Sequence, residues 1–324
     1  MSTTPTIKAI LTKISGAGRI LVASHEGPDG DAIASTLALA NALREAGKQV
    51  VAYNVDGVPE ALDFLPGARE LVSTLDGSFD LGFVLDAGEL RRAGPQVAER
   101  CRALINIDHH PHSEPFGEIN WVDEGASATG AMIYRLLSAA EIAISREVAV
   151  CIYTAILADT GSFRYSNADP EAFRIAAAMV EKGVSPWDIA SGMYENQAAK
   201  RLQLLAKVLQ TLTVSSCGRL GSVAVTEAML RETGAGPEHT DGFVNYPRSI
   251  RGVEVALFFR QVKDQAFKVG FRSKGRVDVG SLARALGGGG HHNAAGAVVD
   301  GDLEEVRASV IAKVEALLGP EVEV

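Results

Sequence analysis

Apolar residues recur at helical spacing over residues 6–15, with Ile7, Ile10, Leu11 and Ile14 on one face, and Gly16-Ala17-Gly18 closes the run. Residues 19–23 form a short apolar stretch that predicts a strand. It stops abruptly in the polar loop Ser24-His25-Glu26-Gly27-Pro28-Asp29-Gly30-Asp31. An Ala- and Leu-rich helix over 32–46 follows and ends at Gly47. Residues 48–54, 81–85 and 103–107 predict three more strands, and 126–140, 145–157 and 169–182 predict helices. Ser127 or Thr129 is a candidate cap for the first of these helices, and Ser145 for the second. Strands alternating with helices imply parallel βα units and an α/β, doubly wound, mainly parallel sheet.

Beyond residue 183 the pattern changes. A helix over 198–211 reads as a connection between two halves. Strands are predicted at 220–225, 253–259, 267–271 and 297–299, with helices at 278–286 and 302–318. The expected organisation is a first domain at 1–190, a helical linker at 191–212 and a smaller, mixed α+β domain at 213–324. A chain of 324 residues accommodates two such domains.

Charge and cysteine content narrow the function classes. A net charge of -9 argues against a wide basic surface and hence against long duplex nucleic acid as partner. Cys101, Cys151 and Cys217 lack metal-site spacing and read as small core residues, consistent with a reducing cytoplasm. No secretory signal pattern and no membrane-length apolar segment is visible, so no membrane partner is expected.

The chemistry collects where apolar elements end. Residues 103–107 run into Asp108-His109-His110, 81–85 into Asp86, 19–23 into His25, Asp29 and Asp31, and the helix at 145–157 into Asp159. Ligand sites of open α/β sheets form beyond the carboxyl ends of the strands. Each aspartate has an ordinary explanation: Asp31 as a helix N-cap, Asp29 as a turn residue beside Pro28 and Gly30. Those explanations do not account for the repetition. Imidazoles and carboxylates without thiolates form an intermediate-to-hard donor set that suits Mn2+, with cobalt, iron or zinc as further divalent candidates. Carboxylates converging in such numbers repel unless cations neutralise them. The set is large enough for two ions, with one Asp as bridge. No Ser, Cys or Lys nucleophile is evident, so metal-activated water is the expected attacking group. Gly287-Gly288-Gly289-Gly290 lacks the Gly-Lys-Ser/Thr ending of a P-loop, and no Gly-x-Gly-x-x-Gly follows the first strand. The glycines suggest backbone amides approaching a bound anion, with a plain flexible loop as the alternative.

These motifs, His25-x-x-Pro28-Asp29-x-Asp31, Asp86, Asp108-His109-His110 and Asp159, resemble the ordered motifs of the DHH phosphoesterase superfamily. Gly288-Gly289-Gly290-His291-x-x-Ala294-Ala295-Gly296 resembles the signature of its C-terminal DHHA1 domain. The resemblance covers nearly the whole chain. Its size and layout are similar to the branch of bifunctional oligoribonucleases and pAp phosphatases, without the extra domains of long exonucleases or the membrane helices of some cyclic-di-AMP phosphodiesterases. By position, the resemblance implies one metal at His25, Asp29 and Asp86 and a second at Asp31, Asp86, His109 and Asp159, Asp86 bridging. It implies catalytic roles for Asp86, Asp108 and His110: His110 contacts substrate phosphate or assists proton transfer, and Asp108 orients an imidazole. Substrate binding is implied for His110, Arg272, Ser273, Gly288, Gly289, Gly290 and His291, with the motif histidine placed at His291 rather than His292. The expected activity is Mn2+-dependent hydrolysis of very short RNA, linear dinucleotides and 3′-phosphoadenosine 5′-phosphate. A stand-alone cyclic-dinucleotide phosphodiesterase is the rival within the class, and a non-catalytic nucleotide-binding module the rival outside it. A homodimer is left open.

Overall fold

In the computed structural model, the N-terminal amphipathic run becomes α1 (Pro5–Gly16). It begins at Thr4, whose hydroxyl accepts the Ile7 amide, and it buries Ile7, Ile10 and Ile14. The structure describes residues 4–290 and 292–319, and it divides into two units, Met1–Asn196 and Gln197–Val324.

The first unit continues with β1 (Arg19–Ser24), α2 (Gly30–Glu45), β2 (Gln49–Tyr53), β3 (Leu81–Leu85), α3 (Pro95–Arg100), β4 (Leu104–Asp108) and β5 (Ile119–Val122). Four helices follow: α4 (Thr129–Ala139), α5 (Arg146–Asp159), α6 (Pro170–Glu181) and α7 (Pro186–Tyr194). The strands lie in the order β2-β1-β3-β4-β5, every neighbouring pair parallel. Their carboxyl ends therefore share one edge. The chain passes from β1 to β2 on one side and returns to β3 on the other, so the loops after β1 and β3 part at a topological switch point.

Alternate strand residues feed two cores. Ile20, Val22, Phe83, Ile105 and Ile107 pack with α2, α4, α5 and α6, while Leu21, Ala23 and Val84 pack with Tyr53, Phe79, Ala93 and Val97 on the other face. Strands buried on both faces read as unbroken apolar runs, which is why the sequence reveals them. Helix α2 is buried from Asp31 to Leu43, and its alanines let it lie between the sheet and α5. Two glycines set how close these helices come: a Cβ at Gly30 would lie 2.5 Å from the Ala158 Cβ, and one at Gly130 2.4 Å from that of Ala155. The amino ends of α2 and α4 are thereby drawn onto the last turns of α5.

The second unit contains α8 (Ala199–Leu209), β6 (Thr213–Val214), β7 (Leu220–Val225), α9 (Glu227–Thr233), α10 (Asn245–Ser249), β8 (Val255–Lys263) and β9 (Ala266–Ser273). It ends with α11 (Val279–Ala285), β10 (Gly289–Gly290), β11 (Ala294–Asp300) and α12 (Leu303–Leu318). Its sheet runs β10-β11-β9-β8-β7-β6 and is mixed: β7 and β8 are parallel, the other pairs antiparallel. Helices α11 and α12 bury Val279, Leu282, Val306, Val310 and Val314 on one face. The helix that the sequence suggests as a connector, α8, buries Leu204, Leu205 and Val208 against Val223, Val225 and Phe243 of this unit. The free cysteines are Cys101, Cys151 and Cys217. No helix of the described residues is long and apolar enough to cross a membrane.

Candidate metal centre

His25 leaves the end of β1, Asp86 the end of β3, and Asp108 is the last residue of β4, followed by His109 and His110. Asp29 and Asp31 stand at the start of α2 and Asp159 is the last residue of α5. The structure brings these groups together at the carboxyl edge of the sheet. Donor atoms of His25, Asp29 and Asp86 lie within 4.8 Å of one another, as do those of Asp31, His109 and Asp159, and those of Asp86, His109 and His110.

Asp86 links these groups. Its Oδ2 lies 3.7 Å from His25 Nε2, and its Oδ1 lies 3.3 Å from His109 Nε2 and 3.4 Å from His110 Nδ1. Its backbone is left-handed, with φ +60°. Asp tolerates that region better than most residues, and such strain persists where surrounding contacts fix it. Here the Asp86 amide bonds to Ile107 O at 3.0 Å, and the Thr129 hydroxyl donates to Oδ1 at 3.0 Å.

Of the two aspartates, Asp29 and not Asp31 caps α2. Asp29 is the N-cap, accepting the Ala32 amide at 3.0 Å. Asp31 instead reaches across to α4. Its carboxylate accepts the amides of Thr129 at 2.6 Å and Gly130 at 3.0 Å, and the Ser35 hydroxyl at 2.7 Å. So neither Ser127 nor Thr129 caps α4 with its own side chain, as the sequence suggests; a carboxylate from another helix does so. A negative charge there also suits the positive end of the helix dipole.

Backbone carbonyls orient two imidazoles. His25 Nδ1 lies 2.8 Å from Glu26 O and His109 Nδ1 3.2 Å from Ala126 O, which turns each Nε2 towards the carboxylates. Asn54, fully buried, holds the His25 carbonyl at 2.8 Å, and Arg92 Nη2 lies 3.1 Å from His25 Nδ1. Asp108 faces elsewhere. It accepts from Gly88 N, Ser113 Oγ and His110 N, and its Oδ1 lies 2.7 Å from His110 Nδ1. Asn167 donates to Asp159 Oδ2 at 3.2 Å. Asn54, Arg92, Ser113 and Asn167 are missing from the sequence reading because none carries a motif of its own, and Thr129 figures there only as a candidate cap.

The protonation states show what the cluster lacks. Burial pushes Asp31 well above the ordinary carboxylate range, and the charge of Asp86 adds to it. Burial likewise drives Asp159 up to about 7 against the opposing pull of His109, with the charges of Asp86 and Asp29 adding to the rise. Burial opposes charge on His109, yet its hydrogen bond to Asp86 and the charges of Asp86, Asp31 and Asp159 drive it up to about 11. Asp86 is lowered despite burial by the bond from His109 and the charges of His110, His109 and His25. His110 is raised against burial by its bond to Asp108. These carboxylates demand positive charge, and protons supply it in the chain alone. Inward-facing Nε2 atoms beside clustered carboxylates, with no thiolate, fit divalent cations of intermediate hardness.

In the second unit, Arg272 lies in β9 and its Nη1 donates to Phe271 O. Ser273 is buried; its hydroxyl donates to Val277 O at 2.7 Å and accepts from Asn293 Nδ2 at 2.8 Å, which fixes the turn between them. The end of the glycine run, Gly289–Gly290, becomes the edge strand β10. A Cβ at Gly288 would meet Gly296 O at 2.1 Å, and the Gly288 amide donates to Ala283 O at 2.8 Å. The Gly288 amide expected to approach an anion is thus spent inside the fold, and this glycine is required by strand packing. Gly289 has open space where a Cβ would stand. His292 is exposed, with Nδ1 3.9 Å from Asp278 Oδ1, and His291 lies outside the described residues.

A parallel sheet of order 2-1-3-4-5 with an Asp/His cluster beyond its carboxyl ends is the frame of a metal-binding α/β protein, and comparison with known proteins narrows the class to hydrolases. Residues 19–156 match the DHH family, N-terminal domain, and residues 220–319 match the DHHA1 domain. The chain belongs to the DHH family of metal-dependent hydrolases, in the form that carries a DHHA1 domain. It is 35% identical over 298 residues to the bifunctional oligoribonuclease and PAP phosphatase NrnA of Thermus thermophilus, covering 91% of this chain and 88% of that one. It is 31% identical over 295 residues to the protein of the same name from Bacillus subtilis, covering 90% and 92%. The crystal structure of an exopolyphosphatase-related protein from Bacteroides fragilis superposes with a TM-score of 0.90 at 29% identity, covering 97% of this chain and 98% of that one.

Proposed function

We propose that the chain is a Mn2+-dependent phosphoesterase that hydrolyses very short RNA oligonucleotides, linear dinucleotides and 3′-phosphoadenosine 5′-phosphate. The observation that carries this reading is Asp86, whose two carboxylate oxygens face separate donor groups, His25 on one side and His109 and His110 on the other. His25, Asp29 and Asp86 would hold one divalent ion, and Asp31, Asp86, His109 and Asp159 a second. Ions bound there activate water and neutralise charge on a phosphoryl group. His110, held at Nδ1 by Asp108, which raises its pKa against burial, is suited to meet an anionic phosphate oxygen or protonate a leaving oxygen. Arg272 supplies positive charge for a terminal phosphate in the second unit. The names of the Thermus and Bacillus relatives favour short RNA and pAp over other phosphate esters. The reading includes a cytoplasmic location, which the free cysteines suit.

The test is a metal-titrated assay with pAp, pApA, a pentanucleotide, a 20-mer and cyclic-di-AMP in parallel. We expect chelator to abolish turnover, Mn2+ to restore it better than Mg2+, and the short linear substrates to be cut fastest. Asp86→Asn should fall by several orders of magnitude in activity while remaining folded, because the shared anionic ligand is gone. Full activity in chelator, or preference for cyclic-di-AMP over every linear substrate, would overturn the reading.

A further inference from the structure

In the sheet of the second unit, one face is covered over β7 and β8, where Val223, Val225 and Phe258 pack with Phe243 and α8. The other face is buried under α11 and α12, and side chains alternate between faces along each strand. On β9, Phe267, Val269 and Phe271 enter that core, so Lys268, Gly270 and Arg272 share the opposite face. Register fixes their neighbours. Arg260 of β8 lies opposite Lys268, Phe258 opposite Gly270, and Ala256 opposite Arg272. On the other side, β11 sets Val298 beside Lys268, Gly296 beside Gly270 and Ala294 beside Arg272. The middle row therefore has a floor without side chains, Gly270 and Gly296, next to the half-buried Phe258 ring. A cationic row stands at either end, separated by roughly 13 Å along the strand.

Arg260 is the unexplained member. It is half-buried, yet among the described residues no hydrogen bond or ion pair of its guanidinium is found, and it stands directly across from another cation. Like charges placed opposite each other on a sheet are destabilising, and buried charges are normally paired. Burial lowers its pKa, and no carboxylate offsets that effect. The acid in the adjoining row, Asp300, is opposite Ala266 and two strands away from Arg260.

We propose that Arg260 forms a second anion subsite on this face, across the glycine floor from Arg272, and that it holds a further phosphodiester of an oligonucleotide whose terminal phosphate Arg272 holds. The proposal rests on the short-RNA reading above and sharpens it: Arg260 discriminates among substrates by chain length. A mononucleotide such as pAp has no phosphate that reaches beyond the floor, whereas a tri- or pentanucleotide does. One charge-assisted contact of this kind corresponds to roughly tenfold to a hundredfold in affinity.

The experiment compares wild type, Arg260→Ala and Arg260→Lys. Binding of a 5′-phosphorylated, 3′-fluorescein-labelled pentaadenylate is followed by anisotropy in chelator at several salt concentrations, and kcat/KM is measured on pAp and on tri- and pentanucleotides with Mn2+. We expect Arg260→Ala to weaken pentamer binding at least tenfold and to flatten the plot of log affinity against log salt by about 0.7, the loss of one phosphate contact. Turnover of pAp should stay within about twofold of wild type, and Arg260→Lys should recover part of the pentamer affinity and most of the salt slope, as a point charge does. An unchanged slope, an equal loss on pAp and pentamer, or no pentamer binding by wild type would overturn the proposal. A wild type that hydrolyses none of the substrates would sink the short-RNA reading instead, while the chelator binding series still decides on Arg260.

Discussion

Thr129 meets two carboxylates with two different groups: its amide holds Asp31 and its hydroxyl holds Asp86. The hydroxyl bond fixes the Asp86 oxygen that faces His109, so it bears more on the Asp31, His109 and Asp159 group than on the His25 group. Thr129→Val keeps the amide and the shape and removes only this donor. We expect Mn2+ titration, followed by the resonance of free Mn2+, to show one class of site weakened about tenfold to a hundredfold and the other little changed. Thr129→Ser should restore the wild-type curve. A valine variant that titrates like wild type would refute this role. The same corner shows why side-chain roles were only partly legible in the sequence. The strand-end motifs place Asp29 and Asp31 at the mouth of the sheet, but nothing local tells that Asp29 caps its own helix while Asp31 caps another. The amides that decide it lie on a segment far along the chain.

Among the elements, long runs of one period could be read directly and short ones could not. The central strands, buried on both faces, and helices α2, α5 and α12 carry enough apolar positions to define themselves. Strand β5 is a half-exposed edge with Asn120 in it, and α3, α7, α9 and α10 are too brief to show a period. The glycine run was legible as a special segment but not as a strand, because its pairing with β11 depends on the absence of side chains. Packing between elements has an equally specific demand at Gly130. Gly130→Ala sets a methyl against Ala155 and moves an amide that holds Asp31. The expected cost is about 1–3 kcal/mol of overpacking, a fall of several degrees in Tm by calorimetry of the metal-free protein. An unchanged Tm would mean that α4 and α5 separate without penalty.

For the molecule as a whole, the cluster couples protons, metal and stability. Asp159 is raised in the folded chain above its unfolded value, so the folded state holds a proton that the unfolded state has lost once pH exceeds about 4. That contribution stabilises at low pH and is lost as pH rises towards about 7. His109, raised to about 11, contributes stability that is complete below its unfolded value of about 6.5 and is lost as pH rises through the folded one. Both trends weaken the metal-free protein with rising pH, while a metal must displace these same protons to bind. The rise in Tm on adding Mn2+ should therefore be larger at pH 8 than at pH 5, and calorimetry in buffers of different ionisation enthalpy should register proton release. A metal-induced shift that is equal at both pH values would contradict this linkage.

The scatter of the donor groups along the chain, from His25 to Asp159, also bears on how the chain is made. Asp29, Asp31 and Asp86 leave the ribosome before His109 and His110, and Asp159 emerges after both. The inner strand β1 must wait for β3 before it has neighbours on both sides, and α5 must dock before the last carboxylate arrives. These are contacts of high sequence separation, which form slowly. No early fragment can gather the whole cluster, so tight metal capture becomes a late event in biogenesis and a readout of a finished first unit.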